Sequence, residues 1–156
     1  MWLTMSLKEK VLYETVKWSK ERGLELLAVI LFGSSVYGPS KARDVDVIIV
    51  VRSLKNILEK VTWEVQTSRR LRRALGKPVD VIIFDVESFL ENLQPGTVLS
   101  GLVQGYEILL DKIDLKSKIN GMFVKLAEED YMYYKGSWKD LAWLARMRLK
   151  KKDKCG

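Results

Sequence analysis

Apolar and polar positions along this chain follow two periods, and the switches between them mark out the elements. "SLKEKVLYETVKWSKERG" (6–23) has helical spacing, with Leu7, Val11 and Trp18 near one face. Ser6 and Glu9 are placed as a capping box at its start, and Gly23 ends it. "LELLAVILFG" (24–33) is a continuous aliphatic run, the pattern of a buried strand that stops at Gly33. A loop rich in small residues, "SSVYGPSKAR" (34–43), leads into a second strand, "DVDVIIVV" (44–51). Ser53 is expected to cap a long helix (54–76) closed by Gly76, with Pro78 just beyond. "VDVIIFD" (79–85) reads as the third strand. "VESFLENL" and "TVLSGLVQG" then read as short helices around Pro95 and Gly96, and "YEILL" as a short edge strand. From Asp114 onward two more helices are expected, broken near Gly136 and Ser137. Trp138, Leu141, Ala142, Ala145 and Leu149 fall at helical spacing in the second.

The connections constrain the topology. The loop over 34–43 is most simply a turn back, which makes the second strand antiparallel to the first. The long helix between strands two and three is the mark of a parallel crossover. These rules predict an α/β fold of α+β-like character, a small mixed sheet with helices packed against it. No clear domain break appears. We divide the chain into residues 1–111 and a helical extension with a basic tail, 112–156, packed on the same domain or on a second copy as a homodimer.

Composition narrows the chemistry. The chain has 156 residues, 47% hydrophobic and 30% charged, the balance of a globular domain and not of a disordered one. Its longest apolar runs are too short to span a bilayer, so no membrane is expected as partner. "MWLTMSLKEK" turns charged before a signal-peptide core could form, which predicts a cytoplasmic protein. The single cysteine, Cys155, excludes an internal disulfide, and the absence of histidine disfavours a zinc site of the usual Cys/His type. Any metal is therefore to be held by carboxylates, which points to Mg2+ or Mn2+.

Carboxylates are placed where they are costly. Asp44 and Asp46 open an apolar β-branched strand, although unpaired carboxylates weaken strands and resist burial. Two residues apart on a strand, they share a face. The predicted topology brings the start of strand two beside Gly33 and Ser34 and beside the start of strand three, where Asp80 sits. Asp85, five residues on, lies about 16 Å away at the usual strand rise. Three converging carboxylates without a cationic partner repel one another unless divalent cations are shared, an arrangement that suits a two-metal site with ions about 4 Å apart. A Gly-Ser turn beside it offers backbone N–H groups and a hydroxyl to a polyphosphate. Phosphoryl or nucleotidyl transfer is the chemistry this favours.

At these residues the sequence resembles a known family. "GSSVYGPSKARDVDV" followed by "VDVII" is similar to the DNA polymerase beta-type nucleotidyltransferases, most closely their minimal nucleotidyltransferase (MNT) branch. The resemblance covers roughly residues 5–111 and includes "GLVQGYEILLD", similar to the closing helix and short strand of that branch. It implies the polymerase beta-type fold and transfer of a nucleoside monophosphate from a nucleoside triphosphate, ATP by expectation, to a hydroxyl, releasing pyrophosphate. By the same resemblance Asp44 and Asp46 hold two metal ions, Mg2+ or Mn2+. Asp80 completes one ion's site and helps to deprotonate the acceptor. Gly33 and Ser34 hold the terminal phosphates, with Ser35 and Arg43 beside them. The branch usually carries basic residues where this chain has Ser35 and Tyr37, and commonly a serine at Arg43.

Three functions follow as expectations: an active nucleotidyltransferase; an antitoxin-like partner of a HEPN-type ribonuclease, acting by tyrosine adenylylation or by binding; and a catalytically weak nucleotide- or RNA-binding module. The net charge of +7 bears on the last. Arg146, Arg148, Lys150, Lys151, Lys152 and Lys154 form a basic tail, and Arg69, Arg70, Arg72 and Arg73 a second group, either of which offers nucleic acid a surface. A solvated tail and helix face is the plainer account of the two groups.

Overall fold

The structure is a computed structural model and describes residues 4–33, 36, 43–94, 99, 102, 105–128, 131–134 and 137–140. Its order is α1 (Leu7–Glu21), β1 (Leu26–Phe32), β2 (Val45–Val51), α2 (Ile57–Leu75), β3 (Val79–Asp85), α3 (Val86–Glu91), β4 (Tyr106–Asp111) and α4 (Leu115–Glu128). Strands β5 (Tyr131–Tyr134) and β6 (Ser137–Asp140) follow. The main sheet has strand order β3-β2-β1-β4, with β2 antiparallel to β1, parallel to β3, and β4 antiparallel to β1 at the other edge. Both expected strand pairings are therefore present, antiparallel between β1 and β2 and parallel between β2 and β3 across a helix. "YEILL" does form an edge strand.

The apolar runs of β1, β2 and β3 lack alternation because helices cover both faces of the sheet. On one face α1 and α2 bring Val11, Trp18 and Leu71 against Val29, Leu31, Val45, Val47, Ile49, Val79, Val81 and Ile83. Trp18 meets Trp63 edge-on, with ring centroids 5.3 Å apart. On the other face α3 and α4 bring Phe89, Leu115 and Ile119, with Leu99 and Leu102, against Ile30, Ile48, Val50 and Phe84. Each fully buried aliphatic or aromatic side chain contributes about 1.5–3 kcal/mol, so both layers stabilise the sheet strongly. No described helix is long and apolar enough to cross a membrane.

Helix ends follow side-chain chemistry, with one correction. Ser6 Oγ accepts the amide of Glu9 at 3.2 Å, as a capping residue should. Ser53, however, does not cap the second helix: Asn56 does, its Oδ1 accepting the amide of Glu59 at 2.9 Å. Asparagine caps as well as serine, and Arg52 still extends the sheet through its amide bond to the Glu25 carbonyl. Gly76 ends α2 in the left-handed conformation.

Helix α2 also covers the outer edge of β3. Ser68 Oγ donates to the Val79 carbonyl, and Glu64 Oε2 accepts the amide of Ile83 at 2.9 Å. Lys60 Nζ holds the same Glu64 oxygen at 2.6 Å. Arg70 ties α2 to α1 through Glu14 and Glu21, each contact at 2.7 Å, so one cation of the expected basic cluster is occupied internally.

The C-terminal region departs from expectation. Residues 115–128 are helical, but 131–134 and 137–140 form an antiparallel pair, with Tyr131 opposite Asp140 and Tyr134 opposite Ser137. Tyrosine and tryptophan favour strands, and only Lys135 and Gly136 separate the two runs, a spacing suited to a hairpin. Trp138 is thus on a strand and not on the expected helix. The rest of the expected second helix, Leu141 onward, and the basic tail lie outside the described residues.

Candidate active site

The end of β1 and the starts of β2 and β3 meet at one edge of the sheet. Val45 donates its amide to the Pro78 carbonyl at 3.0 Å, which fixes the two parallel strands level at their starts. From that point the register pairs Asp46 with Asp80, while the antiparallel register pairs Asp46 with Phe32. Val45, Val47, Val79 and Val81 belong to the helix α1–α2 core, so the alternate residues Asp46 and Asp80 share the opposite face.

Gly33 follows Phe32 directly. Its φ is +76°, and a Cβ built there would lie 2.8 Å from Asp46 Oδ2. Only glycine meets both demands, a left-handed backbone and a carboxylate in van der Waals contact. The Gly33 amide donates to the Gly105 carbonyl at 3.3 Å, and its own carbonyl accepts from Val36 at 3.1 Å.

Electrostatically the site is short of positive charge. Asp46 is half-buried, and its carboxyl is held above the usual aspartate range first by burial, then by Asp80, then by Asp44. Asp44 and Asp80 are exposed. Among the described residues none of the three carboxylates has an ion pair, and exposed Arg43 adds none. The described residues contain no closed group of three or more His, Cys, Asp or Glu side chains with metal-ligating geometry. Three like charges without a counterion have no reason to close into such a group. The donor set is nevertheless all-oxygen and anionic, and a divalent cation is the species that would relieve the repulsion felt at Asp46. In that chemical sense the residues fit Mg2+ or Mn2+.

Of the residues singled out from sequence, Gly33, Asp44, Asp46 and Asp80 are gathered at this sheet end, with Arg43 adjacent to Asp44 in the chain. Ser34, Ser35 and Tyr37 lie outside the described residues. Asp85 is set apart, as its position on the strand required, and serves α3 as its cap, Oδ1 accepting the Ser88 amide at 2.7 Å. Sequence reading missed two neighbours of the carboxylates. Phe32 pairs with Asp46 on one side and with Tyr106 on the other, so aromatic residues continue the carboxylate row across the sheet. The edge strand "YEILL" was visible, but its register against β1 was not.

No family model matches the chain, and no curated protein does. Solved structures do. A toxin–antitoxin complex, MntA-HpeT, in a variant with two aspartate-to-glutamate substitutions, matches with a TM-score of 0.50 at 14% identity, over 74% of this chain and 86% of that one. A toxin–antitoxin structure with AMP-PNP matches with a TM-score of 0.49 at 15% identity, again over 74% and 86%. The complex of a tri-AMPylated Shewanella oneidensis HEPN toxin with its MNT antitoxin gives 0.44 at 18% identity, over 76% and 87%. The four-stranded mixed sheet with its flanking helices is the fold of the minimal nucleotidyltransferase MntA.

Proposed function

We propose that this chain is a metal-dependent nucleotidyltransferase that moves a nucleoside monophosphate from a nucleoside triphosphate, ATP by preference, to a hydroxyl acceptor. The observation that carries the reading is the pairing of Asp46 with Asp80 on one sheet face, with side-chain-free Gly33 against the Asp46 carboxylate. Asp44 and Asp46 would hold two Mg2+ ions and Asp80 would complete one site. When bound, the ions supply charge neutralisation for the phosphates and the leaving oxygen. The chain's own contribution is placement. The Gly33 turn, with Ser34, Ser35 and Arg43, takes the terminal phosphates, and Asp80 takes the proton of the acceptor hydroxyl. The acceptor oxygen bonds to the α-phosphorus as the bond to the bridging oxygen breaks, and pyrophosphate leaves.

The likeness to MntA favours one acceptor class. An antitoxin-like role would make a tyrosine hydroxyl of a HEPN-type ribonuclease partner the acceptor, with binding itself contributing to inhibition. Calorimetric titration of ATP, CTP, GTP and UTP, with and without Mg2+, into the wild type and Asp46→Asn tests the catalytic reading. Magnesium-dependent binding that the variant loses is expected. A folded wild type that binds no nucleotide would sink the free-standing enzyme and leave a binding module, whose RNA affinity would survive loss of Asp44 and Asp46.

A further inference from the structure

Four residues lie in one transverse row across the sheet. Asp80 pairs with Asp46, Asp46 with Phe32, and Phe32 with Tyr106. Phe32 and Tyr106 pack beside Ile30, Ile82, Phe84 and Ile108 on the α3–α4 face, the face that Asp46 and Asp80 also take. The row is anionic on the β3–β2 side and aromatic on the β1–β4 side. Strands are spaced about 4.8 Å apart, so Phe32 lies about 5 Å and Tyr106 about 10 Å along the row from Asp46.

The aromatic half is held in place and still partly open. Tyr106 donates its hydroxyl to Asn120 Oδ1 at 3.2 Å, and its ring meets Phe123 edge-on with centroids 6.1 Å apart. Both partners come from α4. Phe32 and Tyr106 are nonetheless only half-buried, where Ile30 on the same strand is fully buried. Gly33 follows Phe32, Gly105 precedes Tyr106, and the two glycines share a backbone hydrogen bond. Neither puts a side chain beside the aromatic pair at the sheet's end.

We propose that Phe32 and Tyr106 form the floor on which the base of the nucleoside triphosphate stacks, with Asn120 as the positioning residue for Tyr106. The inference rests on the nucleotide reading of the carboxylate site. A nucleotide whose α-phosphate is at Asp46 carries its base one ribose away, a span that matches the step along the row to the aromatic pair. Base–aromatic stacking is tolerant of base identity because every base has a π-face. It grows with ring area, so purine nucleotides bind more tightly than pyrimidine ones. A packing role alone, closing the second core, would instead make these rings indifferent to the base.

The test separates base from phosphates. ATP and inorganic tripolyphosphate, each with Mg2+, are titrated into the wild type, Phe32→Leu, Tyr106→Leu, Tyr106→Phe and Asn120→Ala, with thermal melts of each protein. Phe32→Leu and Tyr106→Leu are expected to weaken ATP about ten- to a hundredfold, with tripolyphosphate affinity retained. Tyr106→Phe and Asn120→Ala each keep the ring but delete the hydrogen bond that positions it, so both are expected to lose a similar, smaller factor of ATP affinity. Unchanged ATP affinity in both leucine variants, or equal loss of ATP and tripolyphosphate, overturns the stacking floor. Should a leucine variant fail to fold, ring-proton NMR shifts in the wild type decide instead. Shifts at Phe32 and Tyr106 with ATP but not with tripolyphosphate support the inference, and none with ATP overturns it. A wild type that binds neither ligand overturns the nucleotide reading, and the inference with it.

Discussion

Gly33 and Asp46 are in contact across the β1–β2 pair: a Cβ at position 33 would lie 2.8 Å from Asp46 Oδ2, with φ at +76°. Gly33→Ala must therefore either distort the turn or push the carboxylate out of the row. We expect a stability loss of about 1–3 kcal/mol from the left-handed backbone and the contact together. Nucleotide binding should fall further than stability does, because the displaced group is the central carboxylate. Chemical denaturation alongside ATP titration measures both, and an alanine variant with wild-type ATP affinity would contradict the arrangement.

Burial first, then Asp80 and Asp44, hold the Asp46 carboxyl above the usual aspartate range. Its carboxyl titrates higher in the folded chain than in the unfolded one, so folding takes up a proton there. The sign follows: this group costs no stability below the ordinary aspartate value of 3.8, and the cost grows as pH rises through the raised folded value. Asp46→Asn should then melt a few degrees above wild type at pH 7, solvent screening of the half-exposed group keeping the gain small. The gain should vanish at pH 3. Mg2+ should raise the melting temperature of the wild type and not of the variant, since only the former offers the charge to bind it. A variant less stable than wild type at pH 7 would show that Asp46 is not repelled.

Glu64 bonds the Ile83 amide at the edge of the sheet. Glu64→Ala should cost about 1–3 kcal/mol by leaving a buried amide unpaired, and Glu64→Gln less because its oxygen still accepts. ATP affinity should be unchanged in both, since Ile83 is well removed from the carboxylate row. Urea melts and one titration check this, and equal losses in the two variants would argue against the bond.

The two candidate caps of α2 make a clean comparison. Asn56→Ala should lower stability by about 1 kcal/mol, and Ser53→Ala by little, because only Asn56 accepts the Glu59 amide. The reverse order would return the helix start to the position that its sequence first favoured.

What the sequence made legible was what short-range rules govern. The aliphatic run ending at Gly33, the tight return and the helical crossover were enough to place Asp46 beside Asp80, because strand parity and connection length leave few alternatives. The aromatic half of the row was hidden because β4 joins the sheet beside β1, more than 70 residues away in the chain, through a register that no local signal announces. The C-terminal strands were misread for a different reason. Trp138 matched a helical spacing with residues beyond it, while the preceding tyrosines carried a strand preference that local spacing does not weigh. Ser53 lost the cap to Asn56 because both residue types satisfy the same capping rule, which does not choose between positions three residues apart.

The closed edge of β3 has a consequence for who can approach the site. Exposed sheet edges invite neighbouring chains to add a strand, and here Ser68 and Glu64 already occupy two of the backbone groups such a strand would need. Asp80 stands at the near end of that same strand and remains exposed. On the transfer reading proposed above, an acceptor would come to Asp80 from beyond the strand's tip as a folded surface offering a single side chain, while an extended peptide seeking to lie along β3 would be turned away. The fold would then filter acceptors by their shape before any chemistry begins.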